Sequence, residues 1–319
     1  MNPTYELQNK PLCLDYPATI ENLRLNNTGF SWEVKLPYQI SMSTALYGAH
    51  LQTTHRFRLD QFHCHWGRNA LGGGSEHTVD NRAYAAELHF VHYNMDKYHT
   101  LSKAARHPDG LVVLSVFLDA SEEHHNHAEL EKICSNLKTV QFKGQHSIIK
   151  QAIRIENLLP INRSYWSYQG SLTTPPFLES VTWFVLKYPI KCNSNQISRF
   201  RSLKSSLKQD QSLISSSNAN RQNHHNRHHS LPHNHRHHGS QPSDDLHNNE
   251  ENLMINRLES LEDEDSEQDQ DSDGAGNVYI RSNHRKTQPL NGRTIVTYEE
   301  TSSSSSSSSI SQCSNMLSR

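Results

Sequence analysis

Two histidines set two apart, His63 and His65 in Gln61-Phe62-His63-Cys64-His65-Trp66-Gly67, are the residues most able to do chemistry in this chain. Side chains alternate faces along a strand, so both imidazoles point one way while Phe62, Cys64 and Trp66 fill the other face. Neutral imidazoles on one face can ligate a single metal ion, and zinc suits them. An isolated His-x-His reads equally well as a pair of hydrogen-bonded strand histidines. A second alternating run, Ala85 to Tyr93, puts Glu87, His89 and Val91 on one face. Laid beside the first run, it supplies a third nitrogen. Three protein ligands with a fourth position open is the arrangement of a catalytic rather than a structural zinc site. Gln61 and Glu87 can accept the spare ring N–H groups, which fixes the tautomer and orientation of each ligand.

The elements that must carry these residues are short and strand-rich. Leu111 to Leu118 reads as a buried strand, residues 121–138 as an amphipathic helix with Leu130, Ile133 and Leu137 on one face, and Ser194 to Leu203 as a short helix. Gly72-Gly73-Gly74-Ser75 makes a turn before Glu76 and His77. His124, His125 and His127 read as a solvated helix start rather than a metal site.

Several motifs in order resemble the alpha-class carbonic anhydrases. They are Gln61 to Gly67, Gly74-Ser75-Glu76-His77-Thr78-Val79-Asp80, Ala85 to Asn94, Asp109 to Leu114, Tyr165 to Pro176, and Thr287-Gln288-Pro289-Leu290-Asn291-Gly292-Arg293. The resemblance covers roughly residues 5–205 and 277–298. It implies a mainly β fold of the α+β kind, a twisted, mostly antiparallel central sheet with short peripheral helices. It further implies reversible hydration of carbon dioxide to bicarbonate and a proton, with zinc-bound hydroxide as nucleophile.

Residue by residue, the resemblance makes His63, His65 and His89 the ligands of Zn2+, with Gln61, Glu87 and the backbone carbonyl near Asn283 behind them. Thr173 would orient the nucleophile and Glu76 would hold Thr173, an acceptor-only anion behind a hydroxyl. Val91, Val113, Leu172, Val181 and Trp183, with Thr173 and Thr174, would surround the substrate. The position of the family's histidine proton shuttle is Phe30, which cannot titrate, so catalysis slowed by the missing relay is expected. Family members usually begin with some thirty further residues, including an aromatic cluster and a Gln-Ser-Pro strand. The resemblance therefore implies exposed apolar surface and orphaned polar groups in a chain starting at Met1, each buried orphan costing about 1–3 kcal/mol.

Length and composition bound the rest. The chain has 319 residues and a formal net charge of −2, with basic residues interspersed rather than clustered, which gives no argument for nucleic acid. No apolar run approaches the ~18–20 residues of a membrane span, and Met1 to Lys10 lacks a signal-peptide core. Five cysteines without a spacing pattern, and Phe177 where the resemblance puts a cysteine in secreted relatives, point to a reducing, cytoplasmic setting; a monomer is expected.

Domain organisation is expected as a main part over 1–204, a low-complexity insertion over 205–276, a returning segment over 277–299 and a Ser-rich tail over 300–319. The insertion carries too few apolar residues to offset its ordering entropy and is expected to be disordered. Within it a short amphipathic helix is expected over 251–262, and the run from Glu262 to Asp265 is a solvated acidic stretch. Its histidine tract, His224 through His238, can take up extra metal ions or be a polar loop with incidental affinity. Two readings compete with the enzyme: a catalytically impaired binding protein of the same fold, and a metal-handling protein acting through that tract.

Overall fold

The computed structural model describes residues 4–8, 10–208, 270–272 and 277–300. Contacts divide the chain into one unit, Met1–Ser206 with Glu262–Arg319, and a second, Leu207–Leu261, of which only Leu207 and Lys208 are described. The expected helix over 251–262, the histidine tract, the run Glu262 to Asp265 and the Ser-rich tail lie outside the described residues.

A 13-stranded sheet organises the first unit. Across it the strands Thr4–Gln8, Thr294–Tyr298, Tyr165–Gly170, Val181–Leu186, Leu111–Ser121, Ala86–Asn94, Phe57–Trp66, Trp32–Lys35, Leu23–Asn27 and His146–Ile149 lie side by side. Three pairings are parallel, those of Thr4–Gln8 with Thr294–Tyr298 and of Leu111–Ser121 with both Val181–Leu186 and Ile190–Asn193; the others in this sheet are antiparallel. Helices are short, such as Ala128–Cys134 and Ser194–Phe200. The mainly β expectation holds.

Period-2 alternation assigns the two faces of the sheet different work. One face sends Phe62, Trp66, Phe90 and Phe184 into the main core with Trp32 and Phe200. Their rings meet edge-on or stacked, as in Trp32–Phe200 at 5.4 Å and Phe62–Phe90 at 5.3 Å between centroids. Each such buried ring is worth about 1.5–3 kcal/mol against exposure. The opposite face carries His63, His65 and His89 and a separate apolar cluster that includes Val91, Val113, Val181 and Trp183. A bulge between Leu59 and Gln61 resets the register just before the histidines.

Three expectations are corrected. The strand starting at Leu111 runs to Ser121 because Leu118 to Ser121 pairs with Ile190 to Asn193, so the helix expected from 121 begins only at Ala128, with His127 as its cap. Gln270–Ser272, inside the span expected to lack structure, pairs with Val278–Ile280. Cys64, Cys134 and Cys192 are free buried thiols, but Cys13 is disulfide-bonded, so the reducing-compartment reading does not extend to it. No helix among the described residues is long and apolar enough to cross a membrane.

Candidate metal centre

Register brings the histidines together. His63 pairs with His89 across the two central strands, and His65 pairs with Glu87. The ring centroids of His63, His65 and His89 lie 5.1, 5.3 and 4.6 Å apart pairwise. One nitrogen from each ring falls within 4.8 Å of the others.

Each ring has its other nitrogen engaged. His63 donates from Nδ1 to Gln61 Oε1 at 2.8 Å, His65 from Nδ1 to the Asn283 carbonyl at 2.9 Å, and His89 from Nε2 to Glu87 Oε1 at 2.8 Å. These acceptors fix the tautomers. The unprotonated atoms are therefore His63 Nε2, His65 Nε2 and His89 Nδ1. Burial lowers the pKa of all three, that of His65 to about 4, so the imidazoles are neutral near pH 7.

This arrangement fits a metal ion. His63 Nε2 and His65 Nε2 are 3.1 Å apart, close to the roughly 3.3 Å between two nitrogens bound at ~2.0–2.1 Å in a tetrahedral zinc site. Two lone pairs facing at that distance repel unless a cation lies between them. Nearby, buried Glu76 Oε2 has no hydrogen-bond partner and stands 3.8 Å from His89 Nδ1. Three imidazoles without thiolates are a donor set that suits zinc.

Glu87 is fully buried and accepts from four donors: His89 Nε2, the His77 backbone N–H at 2.8 Å, His77 Nδ1 at 2.6 Å and Ser115 Oγ at 2.5 Å. Burial alone would raise its pKa. The His77 charge and hydrogen bond, with that of His89, overcome this and hold it well below the usual range. His77 in turn meets the Tyr168 hydroxyl through Nε2 at 2.6 Å. His77, Ser115 and Tyr168 have no spacing relation to the ligands; only the pairing of Ser115 with His89 and of Tyr168 with Trp183 brings them in.

Glu76 reaches this region because the preceding turn passes extremely close to the ligand strand. A Cβ on Gly74 would lie 2.1 Å from the Gly67 nitrogen and 2.2 Å from the Ala85 carbonyl, so only glycine fits. The Arg285 backbone N–H donates to Glu76 Oε1 at 2.8 Å. Burial raises the Glu76 pKa, while His89 and the adjacent Thr173 hydroxyl pull it back. Thr173 thus stands beside Glu76, although its hydroxyl falls short of a full hydrogen bond to Oε2.

Val91, Val113, Val181 and Trp183 belong to one apolar cluster, with Leu172 packed on it. Leu172 is held by its N–H bond to the Leu178 carbonyl, and Trp183 Nε1 donates to the Ser171 carbonyl. Thr174 is exposed on the same loop, its carbonyl accepting from Phe177 N–H. Phe30 is also exposed, on the turn between Leu23–Asn27 and Trp32–Lys35. Its carbonyl accepts from Asn283 Nδ2 at 2.9 Å, the residue whose own carbonyl holds His65.

The family model for the eukaryotic-type carbonic anhydrases matches residues 2–237. The chain belongs to that family. This carbonic anhydrase is 42% identical to carbonic anhydrase 7 of Homo sapiens over 194 residues, 61% of this chain and 70% of the relative. It is 41% identical to carbonic anhydrase 7 of Mus musculus over 194 residues, covering the same shares of each chain. Against carbonic anhydrase 1 of Monodelphis domestica it is 40% identical over 195 residues, 61% of this chain and 71% of that one. The alpha-class resemblance of the motifs holds, and the protein is an enzyme of carbon dioxide hydration, a carbonate dehydratase.

Proposed function

We propose that this enzyme works as a zinc-dependent hydratase whose ion is held by His63, His65 and His89. The observation that supports this best is the convergence of three neutral imidazole lone pairs, with every remaining ring N–H already committed to an acceptor. Zinc, when bound, supplies a Lewis acid that makes water a nucleophile at neutral pH, lowering its pKa from 15.7 to about 7.

The chain's own residues do the rest. Gln61, the Asn283 carbonyl and Glu87 hold the three rings in the ligating tautomer and orientation. Thr173, with its hydroxyl proton directed at Glu76, keeps its oxygen lone pairs for the attacking water or hydroxide and so aims it. Its backbone amide can receive developing negative charge. Val91, Val113, Leu172, Val181 and Trp183, with Thr174 at the rim, form an apolar wall for carbon dioxide. A wall without polar anchors binds the substrate weakly, which suits an abundant substrate and fast product release.

Phe30 offers no group for a relay, so proton release to bulk limits turnover. Residues 1–204 and 277–299 make up the catalytic unit, 205–276 an insertion into it and 300–319 a tail. A stopped-flow carbon dioxide hydration assay on zinc-loaded protein tests the reading. The wild type accelerates hydration and His89→Ala falls to the uncatalysed rate; an unchanged rate in His89→Ala would overturn the assignment.

A further inference from the structure

Next to the histidine cluster lies a cavity of about 410 Å³, within the ~300–1,000 Å³ usual for small-molecule sites. Glu76 and Thr173 form part of its wall, but none of the three histidine ligands does. Its flat surfaces are Trp166, Tyr168 and Trp183, and its basic side is Arg285, Lys286 and Arg293.

Neither guanidinium is neutralised. Arg293 donates from Nε to the Leu290 carbonyl at 2.9 Å and from its two terminal nitrogens to the Pro289 and Gln169 carbonyls at 2.8 and 3.5 Å, which leaves its charge unpaired and one N–H on each terminal nitrogen, and it lies 5.0 Å over the Tyr168 ring. Arg285 sits 3.9 Å over the Phe177 ring, and its buried Nε has no hydrogen-bond partner. Asp80 also borders the cavity, yet among the described residues neither arginine pairs with a carboxylate.

We propose that this cavity binds an aromatic monocarboxylate, its ring against Trp166, Tyr168 and Trp183 and its carboxylate against the guanidiniums of Arg285 and Arg293. A carboxylate matches the guanidinium fork and satisfies a buried N–H that the protein leaves open. An inorganic anion would leave the aromatic walls wet. An uncharged arene would leave Arg285 Nε unmet. The site shares Glu76, Thr173 and Trp183 with the proposed reaction site, but none of the three histidines lines it.

Benzoate is the probe. It is titrated into the zinc-loaded full chain with azide held at a saturating level to occupy the metal, and tryptophan fluorescence is read. Trp166 and Trp183 line the cavity, whereas Trp32 and Trp66 are buried in the main core. A saturable change that survives azide is expected, with Arg293→Gln and Arg285→Gln each weakening benzoate at least tenfold and Arg293→Lys less so. Two variants are used so that a folding defect in one, seen by thermal melting, leaves the other decisive. Loss of the signal under azide would place benzoate at the metal only and overturn the proposal. So would unchanged affinity in both glutamine variants, or inorganic phosphate or benzyl alcohol competing as well as benzoate.

Discussion

His63 Nε2 faces His65 Nε2 across 3.1 Å, and neither nitrogen carries a proton, because each ring has spent its N–H on a carbonyl oxygen, one from Gln61 and one from Asn283. Such an arrangement is unfavourable in itself. The fold holds it through the antiparallel register and through Asn283, which is hydrogen-bonded to Phe30, Cys64 and Trp66 as well.

Glu87 should govern zinc affinity without touching the ion. In Glu87→Gln the acceptor of His89 loses its charge and part of its capacity, since an amide nitrogen cannot accept from His77 or Ser115. Zinc affinity measured by chelator competition should fall about 10–100-fold. Wild-type affinity in a folded Glu87→Gln protein would mean that the four donors serve only the fold.

Thr173 should matter to rate and not to metal content. Thr173→Ala is expected to lower kcat/KM by about 10²-fold, the size of losing one preorganised polar group at the reacting atoms. Thr173→Ser should retain most activity, and zinc stoichiometry should be unchanged in both. Steady-state hydration kinetics with metal analysis distinguish this from a structural role.

Phe30 should be the place where a relay can be installed. Its turn is exposed and tied to Asn283, so a histidine there has room and a fixed backbone. Phe30→His, or added imidazole buffer with the wild type, should raise the rate at saturating carbon dioxide several-fold, up to about 10²-fold. A rate indifferent to both would show that another step limits turnover.

His92 should make stability depend on pH. It is fully buried, donates from Nδ1 to the Phe90 carbonyl at 2.9 Å and accepts from the Tyr16 hydroxyl at 2.8 Å. Burial pushes its pKa from 6.5 down to about 3. The unfolded chain therefore takes up a proton below pH 6.5 that the folded chain refuses until about pH 3. This contribution is complete above pH 6.5 and is lost as pH falls through that window, by up to about 1.4 kcal/mol per unit. Urea unfolding from pH 7 to pH 4 should show a shallower loss in His92→Gln than in the wild type, even though the variant starts less stable.

Much of the site could be read from alternation alone. Period 2 put His63 with His65 and Glu87 with His89, and the observed register makes those two faces one. Other contributions are set by tertiary contacts that no local pattern encodes. The Asn283 carbonyl reaches His65 from 218 residues away, and His77 reaches Tyr168 across 91. The polar stretch from Ser121 to His127 looks like a helix start, but strand pairing with Ile190 to Asn193 claims its beginning, and Gln196 binds the His127 backbone at its end. The guanidinium-bordered cavity had no signature, since Arg285 and Arg293 meet Trp166 and Tyr168 only once the returning segment joins the sheet.

The most direct test is diffraction from crystals of the zinc-loaded protein, recorded on both sides of the zinc absorption edge. One strong anomalous peak about 2.0–2.1 Å from His63 Nε2, His65 Nε2 and His89 Nδ1 is predicted, with density for a fourth, non-protein ligand. No peak among these three nitrogens, or zinc held elsewhere with His89 turned away, would contradict the account.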